Sequence, residues 1–194
     1  MSYLFRTCIT LLLTSTLLAQ YSANERLADF VISFVGAHPK EFNTTAFWQE
    51  PHACLADGAD FATVDLNVQN NDTGVTMLHC TARLGDAELV EALLAAGADQ
   101  TIIDSIFLYT PLHVAAANGH ARVIDLLCAY GAPINQQDKN QQTALHHAAT
   151  KGHVAACQAL LAHGANKTST DRFGKLAINY ARARGYDAIV ELLT

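Results

Sequence analysis

From residue 76 onward the apolar positions of the chain recur as a block. Thr76-Met-Leu-His-Cys-Thr-Ala-Arg-Leu-Gly85 returns as Thr110-Pro-Leu-His-Val-Ala-Ala-Ala-Asn-Gly119 and again as Thr143-Ala-Leu-His-His-Ala-Ala-Thr-Lys-Gly152. The same step, taken once more, leads from Thr143 to Leu176-Ala-Ile-Asn-Tyr-Ala-Arg-Ala-Arg-Gly185. Behind each block comes an apolar pair and a Gly-Ala step: Leu93-Leu94 with Gly97-Ala98, Leu126-Leu127 with Gly131-Ala132, Leu160-Leu161 with Gly164-Ala165. Leu89, Val90, Leu93 and Leu94 form one stripe at i, i+4 spacing, which predicts an amphipathic helix. Pro111 suits the first position of the helix before it, where the amide has no intrahelical partner. Gly85, Gly119, Gly152 and Gly185 are placed to end the first helices, and Gly97, Gly131 and Gly164 to end the second, since glycine accepts the left-handed cap conformation.

A period of this length signals stacked repeats. The Thr-Pro-Leu-His block with its later Leu-Leu and Gly-Ala resembles the ankyrin repeat over about residues 71–194. The resemblance implies an all-α solenoid, in which each unit is a turn followed by two antiparallel helices. The units are read as 71–104, 105–137, 138–170 and 171–194. The small pairs Ala115-Ala116 and Ala148-Ala149 let neighbouring first helices approach closely.

The pattern before residue 71 is looser. Leu27, Phe30, Val31, Phe34 and Val35 fit an amphipathic helix, Asn43 or Thr44 can cap another through Phe47 and Trp48, and Leu55-Ala-Asp-Gly58-Ala-Asp60 resembles the end of a repeat. Residues 20–70 are therefore expected to be a divergent helical cap repeat with an inserted loop at 61–70, because solenoids need capped ends. The segment 1–19 reads differently. Arg6 is its only charge, and Ile9, Leu11, Leu12, Leu13, Leu17 and Leu18 form an apolar run that ends in small residues at Ala19. This is the pattern of a secretory signal. It is shorter than the ~20 apolar residues a spanning helix needs. The expectation is an exported protein, periplasmic or secreted, with no stable membrane anchor.

Charge and cysteine content change the picture only slightly. A net charge of −6 argues against a general nucleic-acid binder. It is unevenly spread: residues 20–104 hold 13 acids and 3 bases, residues 105–194 hold 5 acids and 8 bases. Either this is an ordinary solvated surface, or the later bases steer an acidic partner patch. Cys54, Cys80, Cys128 and Cys157 have the spacing of neither a disulfide scaffold nor a zinc site, and three of them fall at helical repeat positions that suit inert core cysteine.

Nine histidines invite a metal or catalytic reading. However, His79, His113 and His146 share one repeat position, and His120 and His153 share another. Repeated sites lie in successive layers and do not converge as tetrahedral ligands must. In the ankyrin family the motif histidine braces the turn through hydrogen bonds, which the resemblance implies for the first three. No phosphate loop, nucleophile elbow or HExxH motif is present. No cofactor, no metal and no catalysis are expected.

Ankyrin repeats share the residues that build the scaffold, so binding falls to those that vary. That puts partner contacts at the turn tips and along the inner face of the first helices: Ile106, Phe107 and Tyr109; Lys139, Asn140 and Gln142; Arg172 and Phe173; and Asn118 and Lys151 on the helices. The stretch Ile106-Phe107-Leu108-Tyr109 departs from the family pattern, which has polar residues and glycine there, and it carries a one-residue insertion. Exposed, it would be a contact surface; alternatively, the insertion folds these side chains onto neighbouring loops. The function expected is a non-catalytic module, monomeric on its own, that binds another protein. The resemblance to small exported bacterial ankyrin proteins suggests protection or inhibition of a partner enzyme. The alternative is an immunity protein that neutralises a secreted antibacterial toxin, such as a phospholipase or wall hydrolase.

Overall fold

Threonine starts the first helix of three successive repeats, and it does so with a histidine at the third helical position. Thr76, Thr110 and Thr143 each sit in extended backbone just before a helix. Their N–H groups donate to Nδ1 of His79, His113 and His146, at 3.2, 3.1 and 3.2 Å. Such a bond occupies an amide that the helix itself cannot satisfy. The computed structural model describes residues 66–69 and 72–194. The expected signal (1–19) and nearly all of the expected cap and inserted loop (20–70), with Cys54, lie outside these residues.

Among the described residues there are eight α-helices and no strand, an all-α architecture. The helices are α1 Met77–Leu84, α2 Ala87–Ala95, α3 Pro111–Asn118, α4 Ala121–Ala129, α5 Ala144–Lys151, α6 Val154–Ala162, α7 Ala177–Arg184 and α8 Asp187–Leu193. None is long and apolar enough to cross a membrane. The odd-numbered helices stack on one another as an inner layer, and the even-numbered ones as an outer layer. Each repeat thus meets only its neighbours, as in other solenoids. Asn67 and Gln69 already behave as repeat residues. Asn67 Oδ1 accepts the Asp99 N–H at 2.8 Å, as Asn135 Oδ1 accepts the Asn166 N–H. Gln69 Nε2 donates to the carbonyls of Gly74 and Ile103, as Gln137 Nε2 does to those of Gln141 and Thr170.

The core lies between the layers. Leu78, Leu112 and Leu145 from the inner helices and Val90, Leu93, Ile124, Leu127, Leu160 and Ile189 from the outer ones are buried. Ala82, Ala116 and Ala149 occupy one position of α1, α3 and α5 with no exposed surface, which brings adjacent inner helices close together. In α7 the same position is Arg182, and it is exposed. Cys80 and Cys157 are buried, and Cys128 is half-buried. Burial pushes their pKa values up, to about 11 for Cys80 and Cys128 and about 12 for Cys157, so they are unreactive packing residues.

Two further bonds tie the layers together. The Nε2 atoms of His79, His113 and His146 face the carbonyls of Tyr109, Gln142 and Lys175, one repeat on, at 2.9, 3.3 and 3.1 Å. A ring whose Nδ1 accepts from a backbone N–H and whose Nε2 faces a carbonyl must be neutral and protonated on Nε2. In the opposite direction, His120 and His153 point Nε2 at the carbonyls of Arg83 and Ala117 in the preceding repeat. Their rings lie against Gly85 and Gly119, where a Cβ would come within 2.4 and 2.7 Å of a ring atom. Tyr186 covers Gly152 in the same way. These glycines therefore do more than adopt a left-handed cap: their missing side chain is the seat for the next repeat's ring.

Leu93→Ala or Leu127→Ala is expected to cost ~2–5 kcal/mol in chemical denaturation, because each removes a fully buried side chain from between the layers. An unchanged denaturation midpoint would contradict that placement. Acid should weaken the fold through the bridging histidines. Burial lowers the pKa of His79 and His146 and takes His113 to about 4. Protons then favour the unfolded chain once the pH falls below the ordinary histidine value of ~6.5. Stability is complete above pH ~7 and declines from ~6.5 towards ~4, with His113 alone contributing a loss on the order of 3 kcal/mol. Denaturation midpoints measured between pH 7.5 and 4.5 should show this decline, and a flat profile would refute it.

Candidate functional site

Between one repeat's outer helix and the next one's inner helix, the chain makes a narrow turn, here called a finger. An aspartate organises each of the last three fingers. Asp104 Oδ1 accepts the N–H groups of Ile106 and Phe107, at 2.9 and 2.7 Å, and Oδ2 that of Tyr109. Asp138 Oδ1 accepts those of Asn140 and Gln142, and Asp171 Oδ1 those of Phe173 and Lys175. All three carboxylates are buried. Burial opposes the charge of Asp171, but the Tyr180 hydroxyl, the two backbone N–H groups and the Gln142 amide hold its pKa down at about 2. In Asp138 burial is likewise outweighed, by His147 and by the backbone donors. Each finger is tied to the one before it by a backbone bond: Ser105 N–H to the Thr73 carbonyl, Lys139 to Phe107, and Arg172 to Asn140. That register places the inserted residue of the second finger at Ile106.

The second finger divides the sequence-based alternatives between its residues. Ile106, Phe107 and Leu108 project into solvent, with Phe107 half exposed. Tyr109 is half-buried. Its ring stacks on Phe107 at 5.2 Å and on His113 at 5.8 Å, and meets His147 edge-on at 5.0 Å. Tyr109 is thus partly scaffold. Leu108 carries the strain of this finger. Its φ of 61° is in the left-handed region, at the turn position held by Gly74 and Gly174 in the first and fourth fingers. Gln141 in the third finger adopts the same conformation. The left-handed conformation costs a side-chain-bearing residue roughly 1–2 kcal/mol.

The other expected contact residues spread over fingers three and four and the inner helices. Lys139 is exposed, and its Nζ donates to the Ile106 carbonyl at 3.3 Å. Asn140 and Gln142 are half-buried, and Gln142 Nε2 reaches Asp171 Oδ2 at 3.4 Å. Arg172 and Phe173 are both exposed, with the guanidinium 4.6 Å from the ring centre. Asn118 and Lys151 lie exposed in the last turns of α3 and α5, Asn118 bonded to the Val114 carbonyl of its own helix. Ile106, Phe107 and Lys139 come together, whereas Asn118 and Lys151 stand at the far ends of their helices.

Sequence reasoning overlooked the roles of His147 and Tyr180. The two occupy the same inner-helix position in successive repeats, and both close onto their own finger. His147 Nε2 lies 2.9 Å from Asp138 Oδ2, and the Tyr180 hydroxyl donates to Asp171 Oδ2. The even recurrence of Asp104, Asp138 and Asp171 was the available signal. No group of three or more His, Cys, Asp or Glu able to hold a metal occurs among the described residues.

The charge separates by layer. Fingers three and four with α5 and α7 carry Lys139, Lys151, Arg172, Lys175, Arg182 and Arg184, all exposed. The only carboxylates on these segments are the buried Asp138 and Asp171. Most exposed acids lie on the outer helices, at Glu88, Glu91, Asp125, Asp187 and Glu191, with Asp72 on the first finger.

A family model of ankyrin repeats (3 copies) matches residues 52–138 and again 112–194. Among curated proteins, the chain is similar to the B-cell lymphoma 3 protein homolog of Mus musculus, 37% identical over 83 residues, which are 43% of this chain and 18% of that protein. It is 36% identical over 73 residues to the phosphate system positive regulatory protein of Saccharomyces cerevisiae, covering 37% of this chain and 6% of the relative. It is 27% identical over 126 residues to a glycerophosphocholine phosphodiesterase of Candida albicans, covering 56% of this chain and 11% of the relative. The chain spans less than a fifth of the length of these relatives, so the likeness is one of repeats. With the family model spanning residues 52–194, four helix pairs in register and the histidine bridges between them, the chain belongs to the ankyrin-repeat family, whose members are in general non-enzymatic protein–protein interaction modules.

Proposed function

We propose that this protein is exported to the periplasm or beyond, where its second finger grips a partner enzyme and protects or inhibits it. The observation that carries the contact site is Leu108. A leucine held in the left-handed region beside exposed Ile106 and Phe107 costs folding energy and returns little packing. Burying these side chains against a partner would gain ~25 cal/mol per Å² of apolar area. Export rests on the charge-poor apolar run that follows Arg6. Protection of a resident enzyme and immunity to a secreted toxin remain the two forms of this reading.

Leu108→Gly tests the strain. It should leave stability unchanged or raise it by up to ~1 kcal/mol, because relief of the left-handed strain offsets glycine's extra chain entropy. A loss above ~2 kcal/mol would show that the leucine is a packing residue. The partner itself is sought by affinity capture from a periplasmic extract, with wild-type protein and Phe107→Ala as parallel baits. Phe107→Ala should fold with a melting temperature lowered by only a few degrees, for the lost stacking on Tyr109, and retain little of the specific partner, a cost of at least ~2 kcal/mol in a subsequent titration. Equal capture by both baits would remove the second finger as the contact. Intact mass of the exported protein should show a chain beginning near residue 20; a full-length chain confined to the cytoplasm would refute export.

A further inference from the structure

The bases on fingers three and four and on the adjoining inner helices have no anion to answer them. Arg172 and Lys175 lean over the aromatic rings of Phe173 and Tyr180, and Lys139 donates to a carbonyl. No ion pair joins Lys139, Lys151, Arg172, Lys175 or Arg184 to a carboxylate among the described residues. Two rows result. Lys139 and Arg172 hold the same place in successive fingers, with Lys175 beside them. Lys151 and Arg184 hold the same place at the ends of α5 and α7. Such a surface is repelled by itself, and it favours a partner of opposite sign. Its edge is equally informative. One finger back, the row continues as Ser105, Ile106, Phe107 and Leu108, without any charge. The backbone bond from Lys139 N–H to the Phe107 carbonyl makes the two halves contiguous.

We infer that the partner presents an acidic protein segment with an apolar residue at one end: the apolar residue seats on Ile106 and Phe107, and the following carboxylates run over Lys139 and Arg172 towards Lys175, Lys151 and Arg184. This deepens the proposed function, and its anchor rests on the second-finger reading. The charge pattern favours a protein segment over a nucleic acid. A polynucleotide carries a phosphate at every step and calls for an unbroken basic track. Here the two rows cover only two repeats, an uncharged finger tip adjoins them, and most exposed acids face outward on the outer helices. A short segment that is apolar and then acidic fits both halves.

The full chain is titrated by fluorescence anisotropy at low salt with a labelled peptide in which a Leu-Phe pair precedes a run of glutamates. A second peptide has glutamine for every glutamate, and an oligothymidylate is matched to the first in charge. The acidic peptide should bind at least about tenfold tighter than the glutamine peptide, and added salt should shrink that advantage. Lys139→Glu/Arg172→Glu should abolish it. So should Lys151→Glu/Arg184→Glu, which touches no finger; circular dichroism confirms that both fold. Equal binding of the two peptides, indifference to both charge reversals, or binding of the oligothymidylate as tight as that of the acidic peptide would overturn the inference. Phe107→Ala separates the two proposals. If it weakens binding of both peptides while the charge reversals do nothing, the second finger is a contact and the acidic partner is wrong. If the charge reversals act and Phe107→Ala does not, the acidic segment stands and the apolar anchor falls.

Discussion

A neutral imidazole shared between two repeats is the interaction on which this structure depends. In each of the first three repeats Nδ1 accepts the N–H of the threonine that opens the helix, and Nε2–H donates to the finger that follows. One ring thereby caps a helix and sets the distance to the next layer. A protonated ring would present a donor to another donor at Nδ1, and a ring with its proton on Nδ1 would turn a lone pair towards the carbonyl. Either change costs more than one hydrogen bond, because the atoms involved are buried and cannot turn to water. The fourth repeat shows the dependence from the other side. There Asn179 takes the histidine's place and makes the capping half of the arrangement, accepting the Leu176 N–H at 2.8 Å.

Everything at the candidate surface follows from that spacing. Once the inner helices are set one alanine apart, each finger lies beside the last, and a single backbone bond joins them. The buried aspartate then fixes the finger's own turn, and where His147 and Tyr180 are available they lock that aspartate to the helix behind it. Backbone donors are consumed in this way, so the tip residues face outward with little to do for folding. Side chains at Ile106, Phe107, Lys139 and Arg172 are free to differ from repeat to repeat, and they supply the apolar and basic halves of the surface. An ankyrin array therefore separates its two tasks by position: stacking belongs to the residues that recur, and recognition to those that do not.

The recurring residues are also what made the fold legible. A threonine, a leucine and a histidine that return together at near-constant spacing leave little choice of helix boundaries, and Leu93 and Leu127 can be assigned to the core from position alone. Interactions across repeats were less visible. Nothing local reveals that His120 rests on Gly85, because the two belong to different repeats and meet only through helix packing. Tyr109 read as a tip residue, yet its ring turns back onto His113 and His147, which belong to two different repeats. The charge asymmetry was visible as a difference between the two halves of the chain. Only the helix orientations show that in the last two repeats it is also a difference between layers, with exposed bases on the fingers and inner helices and exposed acids on the outer ones.

The most direct test of this account is the ionisation and tautomer of the bridging rings, read by long-range proton–nitrogen NMR on the histidine side chains. His79, His113 and His146 should each show a proton on Nε2 and a bare Nδ1 at neutral pH, and should keep that pattern as the pH falls through the ordinary histidine range, His113 towards about 4. Rings that carry their proton on Nδ1, or that titrate near pH ~6.5 while the protein stays folded, would contradict the claim that neutral imidazoles hold the repeats together.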